Sequence, residues 1–387
     1  MPLVYGDLHI HIGRTSKNTP VKITASPQLT LSNIVKTARD QKGLRLIGLV
    51  DAACSKVFLD LLILYREGKL LPIEGGGVEL DGLTIFFGSE VEITHKSGKA
   101  AHFLAYFPDL ASLEQYAKQL TSWVTNPALS TQRIKVDADS WLETVVDLGG
   151  VALAAHAFTP HKGVYGSCVR SLHEMFERPQ LIKGLELGLS ADVKMAEKIS
   201  DTHHYAYIAN SDAHSLATIG REFTVYEFHS ISFRNWCDSL QPLRSGIVAT
   251  HGLEPRLGKY YRSFCTNCDR LAVSSRATFI CPNCGETMVA GVWDRILEIA
   301  DFAGNPPQRP PYRAHVPLSM LPGVGPKTYK LMIEKLGTEI EILYTVSLEA
   351  IYDLVGSKLT RQIADLRIGA LPIIPGGGGK YGRVTKR

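Results

Sequence analysis

Apolar runs along the first two thirds of this chain repeatedly stop on a histidine or a carboxylate. Leu46-Ile47-Gly48-Leu49-Val50 ends at Asp51, and Leu83–Phe87 runs into Glu90 and Glu92. His102 opens Phe103–Phe107, Val151–Ala155 ends at His156, and Tyr207-Ile208-Ala209 leads to Ser211-Asp212-Ala213-His214. These runs predict strands near 44–50, 83–88, 102–107, 151–155, 184–189 and 205–209. Between them, helical periodicity predicts helices over Leu31–Gln41, Phe58–Glu67, Leu113–Val124, Ala138–Leu148 and Ala191–Ser200. Strand–helix alternation of this kind argues for a parallel sheet or a barrel. Polar residues at the trailing ends of several strands favour the barrel, whose sites gather at its C-terminal rim. An open doubly wound sheet is the alternative, but no GxGxxG follows a strand, so a dinucleotide site has no support.

The pattern changes after residue 250, and five segments result: 1–250, 251–304, 305–316, 317–371 and 372–387. The second holds Cys265-x2-Cys268 and Cys281-x2-Cys284 and ends in an amphipathic stretch, Val292–Phe302. Two such knuckles turn four thiolates onto one tetrahedral ion, a closed and therefore structural zinc ribbon. The third is proline-rich (Asn305–Pro311) and reads as a semi-rigid linker. The fourth opens Leu321-Pro322-Gly323-Val324-Gly325-Pro326-Lys327 before a helix, and Val355–Arg361, with Lys358, is a degenerate second copy. A Gly-x-Gly turn at a helix start exposes N–H groups that can hold phosphate oxygens. This resembles the helix-hairpin-helix DNA-binding motif; a plain αα-hairpin is the alternative. Lys327 follows Pro326, so the segment is not a P-loop. The fifth, Gly-rich and then basic, reads as a flexible tail.

Composition adds less. The 387 residues are 45% hydrophobic and 21% charged, as in globular proteins, with no apolar run near the ~18–20 residues that span a bilayer. No signal-peptide pattern opens the chain. Cys54, Cys168 and Cys237 are scattered singly beside the four ribbon cysteines, which suits a reducing cytoplasm. The net charge of +4 divides unevenly: residues 246–387 carry 18 Lys and Arg against 12 Asp and Glu, and residues 1–245 carry 24 against 26. A basic C-terminal third suits a polyanion-binding attachment on a histidine-rich body.

The candidate chemistry begins at His9-Ile10-His11, whose two imidazoles share one side of a strand. Asp212-x-His214 repeats the spacing. Singly, each residue has a structural explanation: Asp51 and Asp212 as helix caps, His102 as a hydrogen-bonded core histidine, His156 as a strand end. Together, burying so many polar groups costs several kcal/mol per unpaired charge, a cost that cations remove. A mixed His/carboxylate set suits Zn²⁺, Mn²⁺ or Fe²⁺ better than Mg²⁺ alone. Eight candidates (His9, His11, Asp51, Glu90, His102, His156, Asp212 and His214) suggest two or three ions, with Glu90 best placed to bridge. Such a centre activates water and neutralises phosphoryl charge, which implies phosphate-ester hydrolysis. Arg133 in a polar loop, and His161 and Lys162 after His156, are candidate phosphate contacts or ordinary loop residues.

Asp7-Leu8-His9-Ile10-His11, Gly88-Ser89-Glu90, Ala155-His156 and Ser211-Asp212-Ala213-His214 resemble the motifs of the PHP (polymerase and histidinol phosphatase) superfamily. That resemblance implies a distorted seven-stranded βα barrel with a multinuclear metal centre over residues 3–250. With the ribbon, the helix-hairpin-helix-like segment, Leu129–Arg133 and His156–Gly163, the chain is similar to the endonuclease Q family. The resemblance implies an enzyme that nicks DNA 5′ of deaminated bases (uracil, hypoxanthine, xanthine) or abasic sites. The eight residues would be metal ligands, with His9, His11, Glu90, Asp212 and His214 at the reaction centre. Arg133, His161, Lys162, Gly323, Gly325, Lys327 and Lys358 would contact DNA. The chain departs from the PHP pattern after His11, where Gly13–Lys17 lacks a further ligand, and after Asp51, where Ala52-Ala53 stands in place of a histidine.

The expectation is thus a cytoplasmic, nucleoid-associated repair endonuclease acting on lesion-bearing duplex DNA, with no membrane contact. A sliding-clamp or other repair partner is not readable from the sequence. Two alternatives remain at this level: a PHP phosphoesterase for a small phosphomonoester, and a non-catalytic DNA-binding accessory.

Overall fold

The computed structural model describes residues 2–241 and 246–385. Seven strands are hydrogen-bonded in chain order: β1 (Leu3–Ile10), β2 (Leu46–Leu49), β3 (Leu83–Thr94), β4 (Ala100–Phe107), β5 (Val151–Ala154), β6 (Ile182–Glu186) and β7 (Ala206–Ile208). The chain after β7 returns to β1, where Ala213 N–H donates to His9 C=O (3.0 Å) and His11 N–H to Ala213 C=O (3.2 Å). The curled sheet is the distorted barrel expected over residues 3–250. On the other side of β1 it continues through β8 (Phe223–Glu227), β9 (Ile247–Leu253) and β10 (Tyr312–His315).

The sheet is mixed, where the alternation predicted parallel pairing: β3–β4 and β4–β5 run antiparallel. Only residues 95–99 separate β3 from β4, too few for the crossover a parallel pair requires. Inside, Leu8, Phe86, Leu104, Tyr106 and Leu153 pack on Phe233 and Trp236. Strand parity then carries Glu90, four residues beyond Phe86, and His102, two residues before Leu104, onto the same inner face. On β1 a register shift lies between Asp7 and Ile10. Such a bulge re-aims side chains: Val4 and Leu8 face inward before it, His9 and His11 after it.

The helices cover the outer face, with Phe103 and Phe107 against Trp141 and Tyr116. Two expected helices are interrupted. Leu31–Lys36 passes into a wider turn, Thr37–Lys42, and ends at Gly43 (φ 84°). Of 191–200 only Val193–Ala196 is α-helical, capped by Asp192. Among the described residues no helix is long and apolar enough to cross a membrane.

The appended pieces lie on the barrel. In the ribbon the four Sγ atoms lie within 4.8 Å of one another, and Phe264–Cys265 pairs with Arg270–Leu271. Its helix, Val292–Ile299, docks through Arg295, whose guanidinium donates to the carbonyls of Tyr165 (3.0 Å) and Val169 (3.2 Å). The linker is only partly a linker: Arg309 donates to the carbonyls of Tyr205, Thr202 and His203, and the proline-free Tyr312–His315 adds to the sheet edge as β10. Four helices follow, Pro326–Leu336, Glu339–Tyr344, Leu348–Val355 and Ser357–Arg367, around Met332, Ile342, Ile351 and Ile363.

The expected flexible tail is instead fastened. Ile373–Ile374 pairs with Arg383–Val384, and the N–H groups of Gly376, Gly379 and Gly382 donate to the carbonyls of Arg256, Lys259 and Leu257. A Cβ on Gly376 would fall 2.4 Å from Gly382 N, so these glycines permit close packing, not motion. Lys386 and Arg387 of that tail lie outside the described residues, as do Met1 and 242–245 of the catalytic segment.

The helical unit is held to the barrel by a buried ion pair, Lys42 Nζ to Glu339 Oε2 at 2.5 Å. Glu339 also accepts from Leu318 N–H and Tyr329 O–H, each at 2.8 Å. Replacing Glu339 by Ala leaves the buried ammonium uncompensated, which costs ~3–5 kcal/mol. Chemical denaturation of Glu339→Ala should therefore show the 317–371 unit unfolding well before the barrel.

Candidate metal centre

His9 and His11 leave the β1 bulge pointing into the barrel mouth, and the other candidates arrive from the ends of neighbouring strands. His9 Nε2 lies 3.6 Å from Glu90 Oε1 and 3.4 Å from Asp212 Oδ1. His11 Nε2 lies 3.3 Å from Glu90 Oε2 and 3.4 Å from Asp212 Oδ1. His102 Nδ1 (3.0 Å) and His156 Nε2 (3.5 Å) face Glu90 Oε1, and His214 Nδ1 is 3.5 Å from Asp212 Oδ1. Three sets of ligand atoms converge: His9/His11/Glu90, His11/Asp212/His214 and Glu90/His102/His156. Glu90 thus presents one oxygen to each side of the cluster.

Asp51 departs from the expectation and joins none of these sets among the described residues. Its carboxylate accepts from His11 Nδ1 (3.1 Å), from Ile12 N–H (2.6 Å) and from the Ser130 hydroxyl. Both oxygens are consumed behind His11, so Asp51 orients that imidazole from outside. Glu186, absent from the eight candidates, does the same for His9: Oε2 is 2.9 Å from His9 Nδ1, while Oε1 accepts from Asn210 Nδ2 at 2.7 Å. Its signal was present in the sequence, since Glu186 is the one charged residue inside the apolar run Gly184–Leu189. Lys22 was also missed; its Nζ is 3.1 Å from Glu90 Oε2 and 2.5 Å from Thr131 Oγ1.

The inward atoms tell what fits. His9 Nε2, His11 Nε2, His102 Nδ1 and Asp212 Oδ1 are buried without a hydrogen-bond partner among the described residues. Orphaned buried polar atoms are costly. Imidazole nitrogens and carboxylate oxygens converging from several elements are the donor set of Zn²⁺, Mn²⁺ or Fe²⁺. The backbone is bent to achieve this: His156 (φ 30°) and Asp212 (φ 47°) both take left-handed conformations that L-residues avoid.

Electrostatics follows the geometry. Burial opposes the imidazolium of His9, yet Glu186 and Asp212 outweigh it and lift the ring to about 9. His11 is raised well above its usual range against the same burial, chiefly by Asp51. Burial would raise Glu90, but Lys22 and His102 hold it well below the usual carboxylate range. Asp212 is likewise held low against its burial, first by His9.

Above the cluster opens a cavity of about 630 Å³, whose lining includes Lys22, His161, Lys162, Arg221, Lys259 and Tyr260. Arg133 and Lys162 both pair with Glu92, at 2.6 and 2.8 Å, and remain 58% and 39% exposed at the side chain. Both also line a second cavity of about 640 Å³ beside the ribbon, with Lys99 and Arg295. Gly323, Gly325, Lys327 and Lys358 are not brought to these cavities. They sit at the starts of Pro326–Leu336 and Ser357–Arg367, where a Cβ on Gly323, Gly325 or Gly356 would meet nothing within 4 Å.

A family model described as PHP-associated matches residues 192–243. The uncharacterized protein YqxK of Bacillus subtilis (strain 168) is 39% identical over 388 residues, covering 99% of this chain and all of that protein. The crystal structure of the lesion-specific endonuclease PfuEndoQ from Pyrococcus furiosus superposes with a TM-score of 0.85 at 32% identity, covering 100% of this chain and 96% of that one. An endonuclease Q complex with a 27-mer duplex bearing an abasic lesion at its active site gives 0.84 at 32% identity, covering 100% and 97%.

Cation uptake must displace the protons that the ion-free cluster holds. With His9 raised to about 9, its ring is protonated at pH 7, and His11 is displaced in the same direction by Asp51. Calorimetry of ion-free protein with Mn²⁺, repeated in buffers of different ionisation enthalpy, should show proton release at pH 7 and an affinity that climbs with pH to about 9. The ion-free fold has the opposite trend: stability from protonated His9 is complete below the unfolded value of 6.5 and is lost as pH rises through about 9.

Proposed function

The chain belongs to the endonuclease Q family, and on that premise we propose that it nicks duplex DNA on the 5′ side of deaminated bases or abasic sites as a repair enzyme. It is a phosphodiester hydrolase. The observation that carries the finer reading is the convergence of His9, His11, Glu90, His102, His156, Asp212 and His214 beneath one cavity whose lining also presents Lys162, Arg221 and Lys259.

Those seven residues would hold two or three divalent ions of Zn, Mn, Fe or Mg. Bound ions there supply an activated water and neutralise charge on the phosphoryl group. The protein's part is positional. Glu186 and Asp51 fix the rings of His9 and His11 so that each Nε2 faces inward. Lys162 and His161 at the rim, with Arg133 beside them, are suited to phosphate oxygens next to the lesion. Water adds at phosphorus, the bond to the upstream 3′-oxygen breaks, and 3′-hydroxyl and 5′-phosphate ends result. A cavity of about 630 Å³ can accept one nucleotide turned out of the stack, which is easier for a mispaired or missing base. The open glycine turns at Gly323, Gly325 and Gly356, with Lys327 and Lys358, offer backbone N–H groups to phosphates without reading sequence. The four ribbon cysteines, Cys265, Cys268, Cys281 and Cys284, would hold one structural zinc.

Purified protein with Mg²⁺ or Mn²⁺ should nick a duplex containing one deoxyuridine, deoxyinosine or abasic site and leave the undamaged duplex intact. His9→Ala and Asp212→Asn should each abolish nicking, and Cys-bound zinc should remain in both. Persistent nicking in both variants, or turnover of a phosphomonoester with no affinity for DNA, overturns this reading.

A further inference from the structure

Lys22 is an anomaly in a pocket suited to metal cations. Lysine is almost never buried unless paired, because its long stem can usually carry the ammonium to water. Here the side chain is only 12% exposed and turns inward. Its backbone is fixed at both sides: Lys22 N–H donates to Ile12 C=O at 3.0 Å, and Ala25 N–H to Lys22 C=O at 3.1 Å. The ammonium meets Glu90 Oε2 at 3.1 Å and Thr131 Oγ1 at 2.5 Å, and Thr131 in turn donates to the same Glu90 oxygen at 2.6 Å.

We propose that Lys22 is a fixed cation of this centre, a positioning residue that holds Glu90 in its two-sided pose and takes the place of a third divalent ion. Ligand arithmetic limits the ions first. His11 appears in two of the three converging sets, but its Nδ1 is taken by Asp51, so its single free nitrogen serves one ion. His11, Asp212 and His214 then belong to one ion on the Oε2 side of Glu90, and His9, His102 and His156 to another on the Oε1 side. Any further ion bridged by Oε2 would have to share the outer side of that oxygen, where the ammonium and the Thr131 hydroxyl already sit.

Charge points the same way. Four carboxylates, Asp51, Glu90, Glu186 and Asp212, lie against the inner imidazoles, while Glu92, 3.7 Å from His102 Nε2, carries two cations at the rim, Arg133 and Lys162. Two divalent ions balance those four. Lys22 leaves the floor of the site with positive charge in surplus, to which the rim pair Arg133 and Lys162 adds, and this suits the anionic phosphate of a phosphodiester. This last step rests on the nuclease reading above; the ion count does not.

The test is Mn²⁺ titration of ion-free protein, followed by the resonance of free Mn²⁺ and by elemental analysis, with ribbon zinc as internal standard. Wild type and Lys22→Arg should take two ions in the barrel. Lys22→Asp, which replaces the ammonium by a ligand, should take a third. Lys22→Met keeps the apolar stem and serves if the Asp variant fails to fold; it should also bind a third ion, more weakly. Nicking of lesion duplex by Lys22→Met should fall by about 100-fold, the scale for losing one preorganised charge-stabilising donor. Three ions in the wild type, or no added ion in either neutral or acidic variant, overturns the proposal. Wild-type protein that binds two ions but nicks nothing would instead sink the nuclease reading and leave Lys22 standing.

Discussion

The arrangement that everything else serves is the packing of unlike buried charges at one end of a barrel. Imidazoles and carboxylates from β1, β3, β4 and the ends of β5, β6 and β7 stand within about 3–4 Å of one another. An uncompensated charge in such a place costs several kcal/mol, so the fold must supply partners for every member. It does this in two layers. Outward-facing nitrogens of the histidines are tied to Glu186, Asp51 and Thr159, while the inward-facing atoms are left bare for ions. The β1 bulge, the left-handed backbone at His156 and Asp212, and the close fit of Gly188 against His156 are the local distortions this layering demands.

Much of this was legible in the chain. His-x-His, Asp-x-His and apolar runs stopping on polar residues located the centre because strand parity is a short-range property. What sequence reading could not separate is a ligand from the group that orients it. Asp51 and Glu186 both end a buried strand, as a ligand would, and differ from Glu90 only in which side of an imidazole they meet. That is decided by a bulge and by the positions of Ile12 and Asn210, which no periodicity reports. Lys22 escaped notice for a related reason: a lysine in a polar loop reads as solvated, and only the anchoring of the 22–25 turn makes it face inward. Antiparallel β4 and the fastened tail were misread because connection length and Gly-for-contact were given less weight than alternation and composition.

The appended segments bear on the centre through contacts, not merely through tethering. The 155–169 segment that carries His156, His161 and Lys162 is clasped from outside by Arg295 of the ribbon's helix, and His161 lies edge-on to Tyr260 (4.8 Å) at the start of the ribbon segment. Arg221 donates from one side of its guanidinium to Ser211 C=O beside Asp212 and from the other to Tyr381 in the C-terminal hairpin (3.0 Å). The rim of the cavity is therefore shared property of three segments, and its shape depends on each of them being folded.

That sharing explains why the basic groups of the rim are paired and yet available. Arg133 and Lys162 meet across Glu92, whose carboxyl is held far below its usual range by His102 and by these two cations. A phosphate arriving at the rim finds cations already positioned, with the ordering of their long side chains settled in advance, and needs only to compete with one carboxylate. The same device one layer deeper, an ammonium set against Glu90, is much drier and correspondingly harder to displace. The protein thus grades its positive charge from exchangeable at the mouth to fixed at the floor, where the innermost histidine nitrogens have no hydrogen-bond partner among the described residues and suit a metal ion.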